Sequence, residues 1–307
     1  MRVATGTLQP PSPYDFRATL AFAESFAPGA GEQRLAGGRF TQAVTADGHA
    51  VGFSITSRGT VEEPLLAYEL FAEHHVLHDT LAAARERIAF SLSIDDDLHP
   101  FYERASVDPP MAHLTQAVYG FHHVKFMTPF ENACHGILAQ RTPMAVMRRR
   151  KDALVARFGG ATNIAGVLYR AFPNAQQLSA APHEKLAQTI EHAVQARRLL
   201  ACAHAFAAVD EAWLRTAPVY EVEQWLLGIE GIGPWTAAFV LIRGLGRMEY
   251  AAPVDEALID AYRDVYARPG ATAADVRRAA DAYGPLQGHW AFYLRAAPTM
   301  LPLASLS

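Results

Sequence analysis

The first third of the chain alternates polar and apolar residues as strands do. Residues 33–46 and 49–58 are rich in Phe, Val, Thr and Ile, with an Ala-Asp-Gly turn signal between them. Residues 65–73 carry a further strand pattern, and the apolar positions within 79–91 fall at helical spacing. This pattern predicts an antiparallel sheet backed by helices.

After about residue 94 the spacing of apolar positions becomes helical almost throughout. The predicted helices span residues 98–105, 111–118, 129–140, 143–158, 183–206, 220–227, 235–244, 256–266, 272–283 and 288–295. Short Pro and Gly breaks separate them, as in a compact bundle. The predicted fold class is therefore α+β, with a small antiparallel sheet and helices in residues 1–94 and an all-helical region in residues 95–307.

Composition and charge narrow the class of protein. With 307 residues, of which 50% are apolar and 19% charged, the chain suits a soluble protein of two or three domains. No apolar run approaches the roughly 18–20 residues of a membrane span, and the start lacks a signal-peptide pattern, so we predict a cytoplasmic protein. Two cysteines, Cys134 and Cys202, give no disulfide framework and are too few for a four-thiolate iron–sulfur cluster.

The net charge of −4 argues mildly against nucleic acid as a partner. The distribution is uneven, however, because basic residues cluster between positions 141 and 157. A solvated helix face explains the run at 148–151 equally well.

A glycine hairpin at residues 227–237, followed by Pro253-Val254-Asp255, carries the most specific signal. Its glycines allow positive φ and close approach of a ligand, and Pro234 suits the first turn of a helix. Backbone amides next to such a turn point towards an anion. The hairpin therefore predicts binding to a nucleic-acid phosphate, independent of base sequence.

Residues 229–237, together with Pro253-Val254-Asp255, resemble the helix-hairpin-helix DNA glycosylases, especially the alkylated-base branch typified by 3-methyladenine DNA glycosylase II. Weaker similarity covers residues 129–140, 172–178 and 283–294, and reaches faintly back to Pro13. The resemblance implies a helix-hairpin-helix at about 220–245, within two helical subdomains that have the active-site cleft between them. It also implies a monomer that acts on double-stranded DNA with damaged bases, associated with the nucleoid if the source is bacterial.

In that family, Asp255 is the position of the catalytic carboxylate, which stabilises the oxocarbenium-like sugar or activates water. The competing interpretation from the sequence is a helix N-cap. Bifunctional relatives place a lysine nucleophile where this chain has Trp235, so no Schiff base is expected.

The remaining site residues follow from the resemblance. Those implied to form the base pocket are Trp235, Phe239, Glu256 and Arg295. Glu256 and Arg295 stand where the family has aromatic residues, which indicates a more polar pocket. Trp235 and Phe239, at i,i+4 spacing, are also compatible with core packing. The residues implied to bind DNA are Gln140, Arg141, Gly231, Gly233, Pro234 and Thr236.

No cofactor is expected to be required. The resemblance implies that a sodium or potassium ion binds the backbone carbonyls of Leu227, Ile229 and Ile232. A zinc site at His74-His75 or His122-His123 is disfavoured, because adjacent histidines seldom share a metal.

We therefore predict a monofunctional glycosylase that removes alkylated purines of the 3-methyladenine type in base-excision repair. Two alternatives stay open: a glycosylase for oxidised or deaminated bases, and a DNA-binding protein without catalytic activity.

Overall fold

The computed structural model describes residues 1–25 and 34–304. It begins with a five-stranded antiparallel sheet whose spatial order is β1-β5-β4-β3-β2. The strands are β1 Arg2–Leu8, β2 Arg34–Ala36, β3 Arg39–Ala46, β4 His49–Ser57 and β5 Leu66–Phe71. Alternate side chains of β1, β3, β4 and β5 pack against α1 Phe16–Ser25 and α2 His78–Ser91 to form one hydrophobic core.

The rest of the described chain is mainly helical. Its α-helices are α3 His99–Ser106, α4 Pro109–Ala117, α5 Pro129–Ala139, α6 Met144–Phe158, α7 Ala175–Ser179, α8 His183–Ile190, α9 Ala193–Ala208, α10 Glu211–Thr216, α11 Val219–Leu227, α12 Pro234–Phe239, α13 Glu256–Val265, α14 Ala273–Asp281 and α15 Gln287–Ala304. A π-helical turn at Val240–Gly244 continues α12, and a 3₁₀ turn at Gly284–Leu286 precedes α15. The predicted α+β class is confirmed, and none of the described helices is long and apolar enough to cross a membrane.

The expectation that residues 95–307 are helical throughout is wrong in one place. A two-stranded hairpin, β6 Gly160–Ile164 and β7 Val167–Ala171, follows α6. The hairpin packs on Ala43 of β3 through Ile164, Tyr169 and Ala171. It therefore connects the helical region to the N-terminal sheet.

Other boundaries differ for local reasons. The predicted strand 33–46 is two strands, since Gly37 and Gly38 both take positive φ and reverse the chain; Gln33 lies outside the described residues. The predicted helix 183–206 is α8 and α9, because Glu191 adopts a left-handed conformation between them. The sequence pattern did not predict β1 or α1, and α15 continues beyond residue 295.

Two further cores hold the helices. The first core contains residues of every helix from α5 through α12. The second contains residues of α3, α4 and every helix from α13 through α15. Helix α1 contributes Phe22 and Ala23 to the second core, although it lies within the first 94 residues. A cavity, lined by residues of both groups of helices, lies where these two cores meet.

Candidate active site

A cavity of about 230 Å³ opens between α12 with its π-helical turn, the helices α1 and α15, and the segment that leads into α13. This volume is below the ~300–1,000 Å³ typical of drug-sized ligands and is in keeping with a single base. Its wall is formed by Phe22, Trp235, Ala238, Phe239, Ile242, Arg243, Ala252, Pro253, Asp255, Gly288, Ala291, Phe292, Arg295 and Ala296. Most of these residues are apolar or aromatic, and three carry charge. The arrangement suits a flat, largely apolar ligand with a few polar groups.

The hairpin between α11 and α12 is anchored to the end of α5. Gly231 has φ +92, and a Cβ there would approach the Arg198 side chain to 2.7 Å. The Gln140 amide donates to the Gly231 carbonyl and accepts from Arg198 Nη1 at 3.0 Å. Gln140 therefore positions the hairpin, while Arg141, the next residue, is exposed with φ +49.

Gly233 and Thr236, two of the residues expected to bind DNA, differ in their surroundings, and Gly233 does not take the positive φ that the sequence analysis allowed. Gly233 has φ −97, a value that any residue adopts. A Cβ at this position would also meet no atom within 4 Å, so the face beside it is open. Thr236 is buried, and its side chain contacts the small residue Gly136 of α5. Thr236 can therefore offer a phosphate only its backbone, in the first turn of α12. The open face at Gly233 and Pro234 is available as well.

Asp255 is both the N-cap of α13 and a wall residue of the cavity. Its Oδ1 accepts the Leu258 N–H at 3.0 Å and lies 2.9 Å from Arg295 Nη1. The side chain remains 41% exposed. The cap interpretation and the cavity interpretation thus describe the same carboxylate, because an aspartate can accept several donors at once.

Arg295 of α15 lines the cavity beside Asp255. Its second guanidinium nitrogen donates to the Pro253 carbonyl at 3.1 Å, which holds the pair at the start of α13. Glu256, in contrast, does not belong to the pocket. Its side chain is 80% exposed and turns towards Arg263, at 3.8 Å, because the first residue of α13 points away from the cavity.

Aromatic rings form two sides of the cavity. On α12, Trp235 is 52% exposed and stacks on Phe239, with centroids 5.0 Å apart and planes inclined by 21°. Opposite them, Phe22 and Phe292 meet edge to face at 5.3 Å. A base entering from solvent would meet the Trp235 ring first.

Arg243, which lines the cavity, and His123, which does not, are buried polar groups next to the aromatic rings. Arg243 is only 7% exposed, and its guanidinium lies 5.3 Å from the ring centroid of Phe22 and 5.7 Å from that of Phe292. Burial lowers its pKa to about 9, so the guanidinium is charged at neutral pH. His123 packs edge to face on Phe292 at 4.4 Å, and burial holds the pKa of His123 well below its ordinary value.

The carbonyls expected to bind an alkali ion belong to the end of α11 and the turn that follows. Leu227 ends α11, where helix carbonyls lack intrahelical donors. The Ile229 carbonyl accepts the Ile232 N–H at 3.0 Å and retains a second lone pair. Carbonyl oxygens are among the ligands that hard cations take. Within the described residues, no group of three or more His, Cys, Asp or Glu side chains is arranged to hold a metal ion.

The wall residues that were not anticipated as site residues include Phe22, Ile242, Arg243 and Phe292. Ile242 and Arg243 follow Trp235 at i+7 and i+8, about two helical turns along, so helical spacing is the signal that could have indicated them. Phe22 and Phe292 have no such signal, because they reach the cavity only through tertiary packing.

Residues 134–285 match the HhH-GPD superfamily of base excision DNA repair proteins. A curated protein named DNA-3-methyladenine glycosylase, from Bacillus subtilis (strain 168), is 30% identical over 165 residues. That alignment covers 53% of this chain and 54% of the relative, so the chain spans about half the length of the curated relative it matches.

Solved structures share the fold over nearly the whole chain. A 3-methyladenine DNA-glycosylase from Archaeoglobus fulgidus has a TM-score of 0.77 at 20% identity, covering 95% of this chain and 98% of that one. An 8-oxoguanine glycosylase/lyase from Clostridium acetobutylicum has a TM-score of 0.65 at 15% identity, covering 96% of each chain. Residues 134–285 therefore form a domain that matches the HhH-GPD superfamily of base excision DNA repair proteins.

Proposed function

We propose that this protein is a monofunctional DNA glycosylase that excises alkylated purines in base-excision repair. The observation that carries the proposal is the Asp255 carboxylate in the wall of a base-sized aromatic cavity, beside the helix-hairpin-helix. The name of the Bacillus subtilis relative supports the alkylated-base class. Double-stranded DNA with a damaged base is the proposed partner, bound by one copy of the protein in the cytoplasm.

Base excision requires the nucleotide to leave the duplex, because the glycosidic bond is hidden in the stack. In the proposed reaction the bond between C1′ and the base nitrogen breaks, and its electron pair leaves with the base. The Asp255 carboxylate stabilises the positive charge that develops on the sugar. Water then adds to C1′, and its proton passes to Asp255 or to solvent.

The residue that follows the hairpin determines whether the strand is also cut. A lyase needs an amine that attacks C1′ to form an imine, whereas this chain has Trp235 at the corresponding position. The indole has no nucleophilic amine, so the expected product is an abasic site in an intact strand. Its exposed face also suits stacking on an electron-poor alkylated purine.

Binding to DNA is proposed to use the backbone around the hairpin. The open face at Gly233 and Pro234 lets a phosphate approach the backbone amides, and a sodium or potassium ion held by Leu227, Ile229 and Ile232 would add positive charge there. Arg141 stands exposed at the end of α5, where a side chain can occupy the gap left by the flipped base.

A base-release assay tests the proposal. Duplexes with a single 3-methyladenine, 7-methylguanine, hypoxanthine or 8-oxoguanine are incubated with the protein, and the free base is quantified by chromatography. We expect release of an alkylated purine without strand cleavage, and no covalent protein–DNA adduct after borohydride reduction.

Other outcomes identify the alternatives. Release of 8-oxoguanine or hypoxanthine alone would assign the chain to oxidised or deaminated bases. Tight binding to an abasic-site duplex with no release from any lesion would identify a DNA-binding protein without catalytic activity. A trapped adduct would overturn the conclusion drawn from Trp235.

A further inference from the structure

One face of the α12 segment leads from the mouth of the cavity to its floor. Along this face the side chains become progressively less exposed, from Trp235 at 52%, through the half-buried Phe239 and Ile242, to Arg243 at 7%. Asp255 lines the opposite wall and keeps 41% exposure. The cavity therefore carries a carboxylate near its mouth and a guanidinium at its floor.

The position of Arg243 follows from the local backbone. Residues 240–244 form a π-helical turn, in which the Leu245 N–H bonds to the Val240 carbonyl at 2.9 Å, and π turns often accompany functional sites. The Phe126 N–H bonds to the Arg243 carbonyl at 2.8 Å and fixes the end of this turn. The extra residue of the turn changes the direction in which Arg243 leaves the helix.

The surroundings of Arg243 keep its charge at the floor of the cavity. The rings of Phe22 and Phe292 flank the guanidinium and exclude water from it. His123, the nearby titratable group behind Phe292, is buried and neutral at pH 7. Electrostatic interactions in such a water-excluded site are stronger than at a surface.

Resting on the proposed glycosylase function, we propose that Arg243 is a specificity residue that donates a hydrogen bond to the carbonyl oxygen of a flipped 6-oxopurine. Among alkylated purines this class is represented by 7-methylguanine, and among deaminated ones by hypoxanthine. Adenine-type bases such as 3-methyladenine are the disfavoured class.

The donor and acceptor groups of the bases explain this choice. When the sugar stays at the mouth, near Asp255, the edge of the purine farthest from the sugar reaches the floor. Guanine-type bases carry the O6 acceptor at that edge, whereas adenine carries an amino donor. Since arginine only donates hydrogen bonds, it pairs with the carbonyl and opposes the amino group.

The same contact assists bond cleavage. As the C1′–N bond breaks, its electron pair moves onto the base and positive charge develops on the sugar. Arg243 then faces the base that gains electrons, and Asp255 faces the sugar that loses them. This charge arrangement is complementary to the transition state, and it is fixed before reaction.

Single-turnover release of 7-methylguanine and of 3-methyladenine, with the wild type, Arg243→Met and Arg243→Lys, tests the proposal. We expect the wild type to release 7-methylguanine faster. Arg243→Met should lower 7-methylguanine release about 10²-fold, the scale of one lost transition-state donor, and 3-methyladenine release less than about threefold. Arg243→Lys should restore part of the 7-methylguanine rate.

A matched control separates specificity from folding. Arg247 is also buried, four residues along, but donates to the Leu214 and Ala217 carbonyls rather than lining the cavity. Arg247→Met should therefore leave the ratio of the two rates unchanged. Binding to a duplex with an abasic-site analogue shows whether each variant is folded.

The outcomes are distinct. An equal loss of both activities in Arg243→Met, or faster 3-methyladenine release by the wild type, would overturn the role of Arg243 while leaving the glycosylase function intact. Release of no base by the wild type would instead contradict the proposed function itself.

Discussion

At the scale of single residues, the site depends on side chains that satisfy two requirements together. Asp255 caps α13 through Leu258 and lines the cavity beside Arg295. The sequence predicts both roles separately, because Pro253-Val254-Asp255 alone is typical of a helix cap, whereas the glycine hairpin upstream favours a catalytic carboxylate. It does not predict the ion pair, since Arg295 lies 40 residues further along the chain.

Gln140, which the resemblance implies as a DNA-binding residue, makes two hydrogen bonds within the protein. It joins the end of α5 to the hairpin by bonding Gly231 and Arg198. Gln140→Leu would leave the Gly231 carbonyl and the Arg198 guanidinium without their hydrogen-bond partner. We expect the free energy of unfolding to fall by about 1–3 kcal/mol in urea denaturation.

The exposed Gln176 on α7 supplies the comparison. Gln176→Leu should change the unfolding free energy by less than about 0.5 kcal/mol. Equal stability of the two variants would show that the Gln140 bridge contributes nothing.

At the scale of elements, the long helices were predictable and the short strands of the helical region were not. Helices such as α5 and α6 repeat apolar positions over several turns. The β6–β7 hairpin has only five residues per strand, and its Ile164 and Tyr169 pack on the N-terminal sheet. Tertiary contact with a distant sheet stabilises that hairpin, and its two short strands give only a weak local pattern.

The glycine hairpin gives a prediction that separates folding from binding. Gly231→Ala places a Cβ at positive φ against Arg198, so we expect a loss of stability of about 1–3 kcal/mol, seen as a lower melting temperature. Gly233→Ser keeps a good N-cap and points its side chain into open space, so its melting temperature should stay near that of the wild type.

DNA affinity should respond differently in this pair. Because the introduced hydroxymethyl group would occupy the face proposed for a phosphate, Gly233→Ser should weaken binding to an abasic-site duplex at least severalfold. Unchanged affinity in a folded Gly233→Ser variant would contradict the proposed use of this face.

At the scale of the whole molecule, the cavity exists because distant parts of the chain meet. Phe22 comes from α1, Trp235 from α12, Asp255 from the start of α13, and both Phe292 and Arg295 from α15. The sequence predicts the residues near the hairpin, but it gives no signal that α1 joins the second helical core. The aromatic wall and the buried Arg243 therefore depend on the assembled fold.

Buried histidines make the stability of this fold sensitive to acid. Burial lowers the pKa of His135 to about 3 and that of His289 to about 4, and it also lowers the pKa of His122 and His123. The unfolded chain binds these protons below about pH 6.5 and the folded protein does not, so stability should fall as pH drops through 6.5. His135 and His289 each cost about 1.4 kcal/mol by pH 5.5.

Thermal unfolding between pH 7.5 and 5.5 measures this effect. We expect the melting temperature to fall as the pH is lowered across this range. It should fall less in His135→Leu, because leucine has a volume similar to that of histidine but does not titrate. An unchanged melting temperature in the wild type, or the same slope in the variant, would show that these histidines do not titrate on unfolding.

The most direct test of the central claim is the single-turnover rate of base release from an alkylated duplex by Asp255→Asn. Asparagine still caps α13, so the variant should fold and bind an abasic-site duplex, while release falls by at least about 10²-fold. Asp260→Asn, one turn along the same helix and paired with Arg263, should keep the wild-type rate. Wild-type release by a folded Asp255→Asn variant would contradict the catalytic role of the carboxylate.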